Sequence, residues 1–285
     1  MKAQLNVHKM ERKDDNDATE FGIGFSSCPN DTFIFDALVN GRIDAGPYRF
    51  SPFIADVEEL NGRAFSGTGT LPVTKLSFYA FLLLKERYLL LDAGAALGYG
   101  CGPLLLAGPS FTSLEKARVA VPGRYTTAFL LMQLWLGGKS VGAVEFVRFD
   151  EILPGIAAGR FDAGLIIHEG RFVYPSYNCS SLVDLGEWWE KETGLAIPLG
   201  CIAIRSDSAS HKEAVENLIR ASLLHARKFP EEGRAFIKKH AQEMDDRVIE
   251  EHISLYVNDF SVSLGAGGKE AIAALKERAM RWKLL

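Results

Sequence analysis

The chain has 285 residues, 47% apolar and 24% charged, with a formal net charge of −4. That composition suits a globular protein of one large or two ordinary domains, and it offers no basic surplus for nucleic acid. Cys28, Cys101, Cys179 and Cys201 lie far apart without zinc-ligand spacing, so they read as reduced thiols.

Residues 1–19 are polar and charged, which predicts a flexible leader rather than a signal peptide. No apolar run reaches the roughly 18–20 residues that a membrane span needs. The expected setting is the cytoplasm, with no membrane or nucleic-acid partner.

Phe21-Gly22-Ile23-Gly24-Phe25 alternates large apolar residues with glycine, as in a strand whose backbone is closely approached. Ser26-Ser27-Cys28-Pro29-Asn30-Asp31 is dense in helix-start residues and predicts a helix over 32–39, stopped at Gly41. Asp56-Val57-Glu58-Glu59 opens another helix with acid in its first turn. A short strand is expected over 71–77, and an apolar helix over 78–91. The breakers Gly98, Gly100, Gly102 and Pro103 then mark a crossover into a strand at 104–107.

Further on, strands are expected at 118–121, 143–149 and 162–167, with helices at 128–136 and 150–158. Trp188-Trp189 lies on an amphipathic helix ending near Gly194, and a strand at 199–204 returns to the first lobe. From His211 the pattern is helical, over 212–228, 231–241, 245–257 and 268–282. The hexapeptides 41–46 and 159–164 are nearly identical, and each follows a strand and a helix, which suggests two similar α/β lobes. The predicted division is a leader at 1–19, a discontinuous first lobe at 20–108 plus 201–285, and a second lobe at 109–200. Lobe-to-lobe alternation of this kind makes a cleft.

Chemistry is expected where strands end. The run Leu165-Ile166-Ile167 stops at His168-Glu169-Gly170, which places an imidazole where a general base belongs in an open α/β fold. Glu169 is positioned to orient or repel an imidazolium. Two loops, 26–31 and 123–127, each open a helix after a strand. Free N–H groups there favour an anion by about 0.3–2 kcal/mol each, so the pair is expected to clamp a substrate carboxylate. Neither loop is a P-loop or a dinucleotide fingerprint. Lys75 and Ser77, at a strand end, are candidates for a carboxylate partner and a hydrogen-bond donor; a solvated surface lysine is the plainer alternative. Cys28, at a helix start, is a candidate low-pKa thiol, but no base for it is visible. His8, His211, His225, His240 and His252 have no metal spacing.

Six segments then resemble one family. They are 26–35, 56–61, Thr74-Lys75-Leu76-Ser77, the glycine run 98–103, Val121-Pro122-Gly123-Arg124 with Thr126-Thr127, and 166–172. In this order they are similar to the motifs of the 1,4-dihydroxy-6-naphthoate synthases of the futalosine route to menaquinone. Asp184-Leu185-Gly186, Trp188-Trp189 and Tyr256-Val257-Asn258 extend the likeness. One departure is Ser27, where the family usually has proline.

The resemblance implies a two-lobed periplasmic-binding-protein-like type II fold with an interlobe cleft and a helical C-terminal tail. It implies a lyase that cleaves cyclic dehypoxanthine futalosine to 1,4-dihydroxy-6-naphthoate without metal or redox cofactor. His168 is then the proton acceptor, and Lys75, Ser77, Thr126, Thr127, Asn30 and Ile167 line the site for a small-molecule carboxylate. Two alternatives are a non-catalytic carboxylate-binding protein of the same fold and chorismate dehydratase.

Overall fold

The computed structural model describes residues 18–241 and 245–285. The expected leader therefore lies outside the described residues up to position 17, while Thr19 already belongs to the first strand.

The strands are β1 Thr19–Phe25, β2 Tyr48–Ile54, β3 Val73–Ser77, β4 Tyr88–Leu90, β5 Ala96–Gly98 and β6 Leu104–Ala107. They continue with β7 Arg118–Val121, β8 Ala143–Phe146, β9 Ala163–Ile166, β10 Ser180–Asp184 and β11 Ile197–Arg205. The helices are α1 Pro29–Val39, α2 Val57–Ser66, α3 Phe78–Leu83, α4 Thr127–Leu136, α5 Phe149–Ala157 and α6 Gly170–Val173. After them come α7 Leu185–Thr193, α8 Lys212–Lys228, α9 Pro230–His240, α10 Asp246–Tyr256, α11 Asp259–Val262 and α12 Gly265–Arg281.

The strands form two sheets. The first runs β2-β1-β3-β11-β4, with β5 also paired to β11; the second runs β10-β6-β9-β7-β8. Parallel pairing joins β1 to β2 and β3, and β7 to β8 and β9; β11 and β6 run antiparallel to their neighbours. The chain thus changes sheet between β5 and β6 and returns at β11. Leu104–Ala107, which the sequence placed at the end of the first lobe, pairs with β9 and β10 in the second sheet. The two sheets share one apolar cluster, reaching from Leu76 and Ala203 to Val119 and Leu165. Helices α8, α9 and α10 pack around α1, and α12 lies on β11 and α4.

Local chemistry explains most element ends. Pro29 opens α1, Asp56 and Asp184 cap α2 and α7 through their carboxylates, and Gly67, Gly137 and Gly194 end helices in the left-handed region. The close approach expected at β1 is real: a Cβ at Gly24 would stand 2.5 Å from Leu71 Cδ1 and 2.8 Å from Thr74 Oγ1.

One expectation fails locally, and two edge strands were not foreseen. The apolar run 78–91 is not one helix: α3 ends at Leu83, the exposed Lys85-Glu86-Arg87 segment turns, and β4 pairs with Ala203, Ile204 and Arg205. Backbone pairing to β11 outcompetes helix propensity there. Strand β2 was not foreseen, because it contains Pro52; at a sheet edge the missing N–H is tolerated. Strand β10, also an edge strand and irregular between Ser181 and Val183, has no clean alternation to betray it.

Candidate active site

Between the two sheets lies a cavity with about 690 Å3 of empty space, the open solvent at its mouth included. From the side of the first sheet it is walled by Ser26, Asn30, Lys75, Ser77 and Gly200; from the other by Thr126, Thr127, Ile167, His168 and Arg171. The seven residues singled out in the sequence, His168, Lys75, Ser77, Thr126, Thr127, Asn30 and Ile167, all reach it. Their chemical circumstances differ.

His168 follows β9 by two positions and takes a left-handed backbone, φ 56°, a conformation uncommon outside glycine and worth attention in a non-glycine residue. The ring lies edge-on to Phe149, with centroids 4.9 Å apart. Nδ1 is 3.2 Å from Cys28 Sγ. Nε2 is buried and has no hydrogen-bond partner among the described residues. Burial, opposed by Asp31 and aided by Lys75, pushes the imidazole down to about 4, so it is neutral at pH 7. Cys28 and Phe149 both contact the ring.

Cys28 corrects an expectation. A helix start alone depresses a thiol, but burial pushes Cys28 well above its ordinary range, with the Glu169 carboxylate adding to the effect. The thiol therefore stays protonated. The partner invisible in the sequence is His168.

Lys75 is no solvated surface charge. It is buried, and Nζ lies 2.5 Å from Asp31 Oδ1, itself fully buried. Asn30 Nδ2 donates to the same Asp31 oxygen at 2.9 Å, while the Ser26 N–H and Oγ donate to Oδ2 at 3.0 and 2.7 Å. Asp31 was read as a helix-start residue; it is the anchor of the loop. Ser77 Oγ accepts from Asn61 Nδ2 at 3.1 Å.

The predicted carboxylate clamp is also corrected, since both loops already hold protein carboxylates. The 26–31 loop turns its Ser26 N–H onto its own Asp31. The Tyr125 N–H of the 123–127 loop lies between the two Glu58 oxygens, at 3.0 and 3.2 Å, which ties α2 to the second lobe. Both threonine hydroxyls are engaged as well. Thr126 Oγ1 donates to Gly123 O and accepts the Phe129 N–H; Thr127 Oγ1 donates to Leu199 O and accepts the Tyr79 N–H. What remains at this end of α4 is backbone. Thr127 and Ala128 occupy the first two helical positions, whose N–H groups have no intrahelical acceptor.

Sequence reasoning passed over His252, Arg171, Cys101 and Tyr256. Arg171 donates to Gly102 O at 2.8 Å and pairs with Asp184. Burial pushes Cys101 up to about 12 and Tyr256 up as well. His252 sits on α10, 222 positions from its partner Asn30, and no local signal marks it. Among the described residues no three His, Cys, Asp or Glu side chains gather as metal ligands, and no helix is long and apolar enough to cross a membrane.

Two α/β lobes closing on a cavity of this kind define a protein of the periplasmic-binding-protein-like class. Solved structures agree: an alkanesulfonate-binding protein from Xanthomonas axonopodis pv. citri matches with TM-score 0.66 at 14% identity, over 93% of this chain and 92% of its own. An Archaeoglobus fulgidus protein matches with TM-score 0.85 at 33% identity, covering 93% and 98%. More particularly, the chain belongs to the menaquinone biosynthesis family, which it matches over residues 21–281. It is 48% identical over 254 residues to a Thermus thermophilus protein named 1,4-dihydroxy-6-naphthoate synthase, 89% of this chain and 91% of that one. A Streptomyces coelicolor protein of the same name is 44% identical over 261 residues, 90% and 92%.

Proposed function

We propose that the chain converts cyclic dehypoxanthine futalosine to 1,4-dihydroxy-6-naphthoate, a carbon–carbon lyase step, with His168 as the general base. The two relatives named for that synthase support the reaction, and neither alternative, receptor or dehydratase, is favoured by them. The observation that carries His168 is its divided ring: Nδ1 meets Cys28, while Nε2, on a residue of the cavity wall, has no hydrogen-bond partner among the described residues.

In this reading Nδ1–H points at the Cys28 sulfur, so the lone pair lies on Nε2. Nε2 takes a proton from a substrate hydroxyl, that oxygen becomes the carbonyl of the departing fragment as the carbon–carbon bond breaks, and the electron pair of that bond passes into the ring that becomes aromatic. The neutral imidazole is already in the accepting form. A substrate carboxylate brought nearby raises its basicity, since an opposite charge favours the imidazolium. The Thr127 and Ala128 N–H groups and Lys75 supply donors for that carboxylate and for developing oxyanions; Ser77 and Asn30 complete the polar wall and Ile167 the apolar one. We place the enzyme in the cytoplasm, in keeping with four free thiols.

The test compares wild type with His168→Ala, following naphthoate release and substrate affinity separately. A general base contributes about 10²–10⁴-fold, so turnover falls by at least about 10² while affinity is kept. Near-normal turnover by the variant removes His168 from the chemistry. Tight binding without turnover by wild type restores the receptor alternative.

A further inference from the structure

Two imidazoles share this cavity, and each commits one nitrogen to the protein. His168 meets Cys28; His252, 1% exposed, meets Asn30, with Nε2 3.0 Å from Asn30 Oδ1. The partners dictate where the His252 proton sits. The Asp31 carboxylate only accepts, so the Asn30 nitrogen that it receives, 2.9 Å away, is the donor end of the amide. Asn30 Oδ1 is then the acceptor end, and an acceptor facing Nε2 requires N–H there. Burial, with His168 and Lys75 acting in the same direction, holds His252 well below its ordinary pKa, so the second nitrogen carries no proton. The lone pair is on Nδ1.

That Nδ1 is buried and has no hydrogen-bond partner among the described residues. The contrast with its surroundings is sharp. Asp31 receives four donors, and the Thr126 and Thr127 hydroxyls each donate once and accept once. Buried polar atoms without partners are rare in folded proteins, and one on the wall of an active-site cavity calls for a ligand donor. His252 lines the cavity, its ring beside that of Tyr256 at 4.6 Å between centroids. A neutral lone pair repels a carboxylate and welcomes an O–H.

We propose that His252 is a specificity-determining residue, whose Nδ1 accepts a hydrogen bond from a hydroxyl of the substrate and of the dihydroxylated product. This rests on the reaction assigned above and adds to it a second imidazole with a different task. His168 moves a proton; His252 reads a hydroxyl. The Asp31–Asn30 relay fixes the tautomer that makes the reading possible, and Lys75 on Asp31 fixes the relay. A site built to pair with a hydroxyl discriminates against the analogue lacking it, because its own buried group is then left unpaired.

The experiment measures affinity of wild type for 1,4-dihydroxy-6-naphthoate and for the same naphthoate without its two hydroxyls. A preference of about tenfold or more for the dihydroxy acid is expected; equal affinities overturn the proposal without any variant. Two substitutions then separate the two ring nitrogens. His252→Gln keeps an amide N–H within reach of Asn30 but has no acceptor at the Nδ1 position. His252→Asn puts an amide oxygen near that position and gives up Asn30. The expected result is that His252→Gln loses the preference and raises KM about tenfold with kcat little changed, whereas His252→Asn retains the preference. The reverse order assigns the residue to the Asn30 contact alone and sinks the proposal. Failure of the assigned reaction looks different: wild type leaves cyclic dehypoxanthine futalosine unconverted, whatever it prefers among the two acids.

Discussion

Cys28 Sγ and His168 Nδ1, 140 positions apart in the chain, lie 3.2 Å from each other across the cleft. The contact joins the helix start of one lobe to the strand end of the other. The first lobe therefore helps to orient the candidate base on the second.

The first prediction follows from that contact. Cys28→Ala removes the group that orients the imidazole and lowers kcat about tenfold with KM little changed, the usual scale for an orienting partner. Cys28→Ser keeps a polar atom there and recovers most of the rate. Steady-state kinetics decide it. A loss of many thousandfold in both variants would instead make the thiol a nucleophile.

Protonation of His168 gives the second. Its pKa in the folded protein is about 4, below the ordinary 6.5, so the acid limb of kcat/KM falls near the lower value. Stability has a defined sign too: between these values the unfolded chain binds the proton and the folded one does not. Stability from this group is whole above pH 6.5 and is lost as pH falls toward 4, by up to about 3 kcal/mol. Urea unfolding of wild type against His168→Asn at pH 7.5 and pH 5 reads the difference; a pH-independent gap contradicts it.

Lys75 and Asp31 supply the third. Both are buried, so Lys75→Met strands a carboxylate with only the Ser26 and Asn30 donors. Breaking one partner of a buried pair costs about 3–5 kcal/mol. Adding Asp31→Asn to Lys75→Met restores part of that stability while activity stays low. A double-mutant cycle in urea, with no recovery in the double variant, would place the cost elsewhere.

A backbone contact gives the fourth. A Cβ at Gly102 would fall 2.2 Å from the Gly186 Cα and N. Main chain cannot swing aside as a side chain does, so Gly102→Ala destabilises by about 2–3 kcal/mol. It also moves the Gly102 carbonyl that receives Arg171. Thermal unfolding and KM are expected to change together; an unaltered melting temperature would mean that the α7 start yields easily.

Much of this protein was legible locally. Strand β1, the Pro29 start of α1, the acidic start of α2 at Asp56, and the strand delivering His168 all follow from residue order, because caps, breakers and periodicity act over a few positions. The motifs in order carried the family. Where two local preferences competed, as in the run that became α3 and β4, only pairing with β11 settled the outcome.

The chemistry of the site was decided by tertiary structure. Sequence placed Cys28 at a helix start and so suggested a low thiol pKa; burial reversed it, because desolvation of a charge outweighs a few partial dipoles. It offered two N-terminal loops for a substrate carboxylate; folding turned the Ser26 N–H onto Asp31 and the Tyr125 N–H onto Glu58, leaving backbone at the start of α4. It passed over His252, since nothing near position 252 records that Asn30 lies 3.0 Å away. Sequence by itself determined which residues were available and which ends of elements they occupied. Only the packing of two lobes decided which groups meet, which stay dry and which are left with an unpaired atom, because those properties depend on distance and solvent rather than on order along the chain.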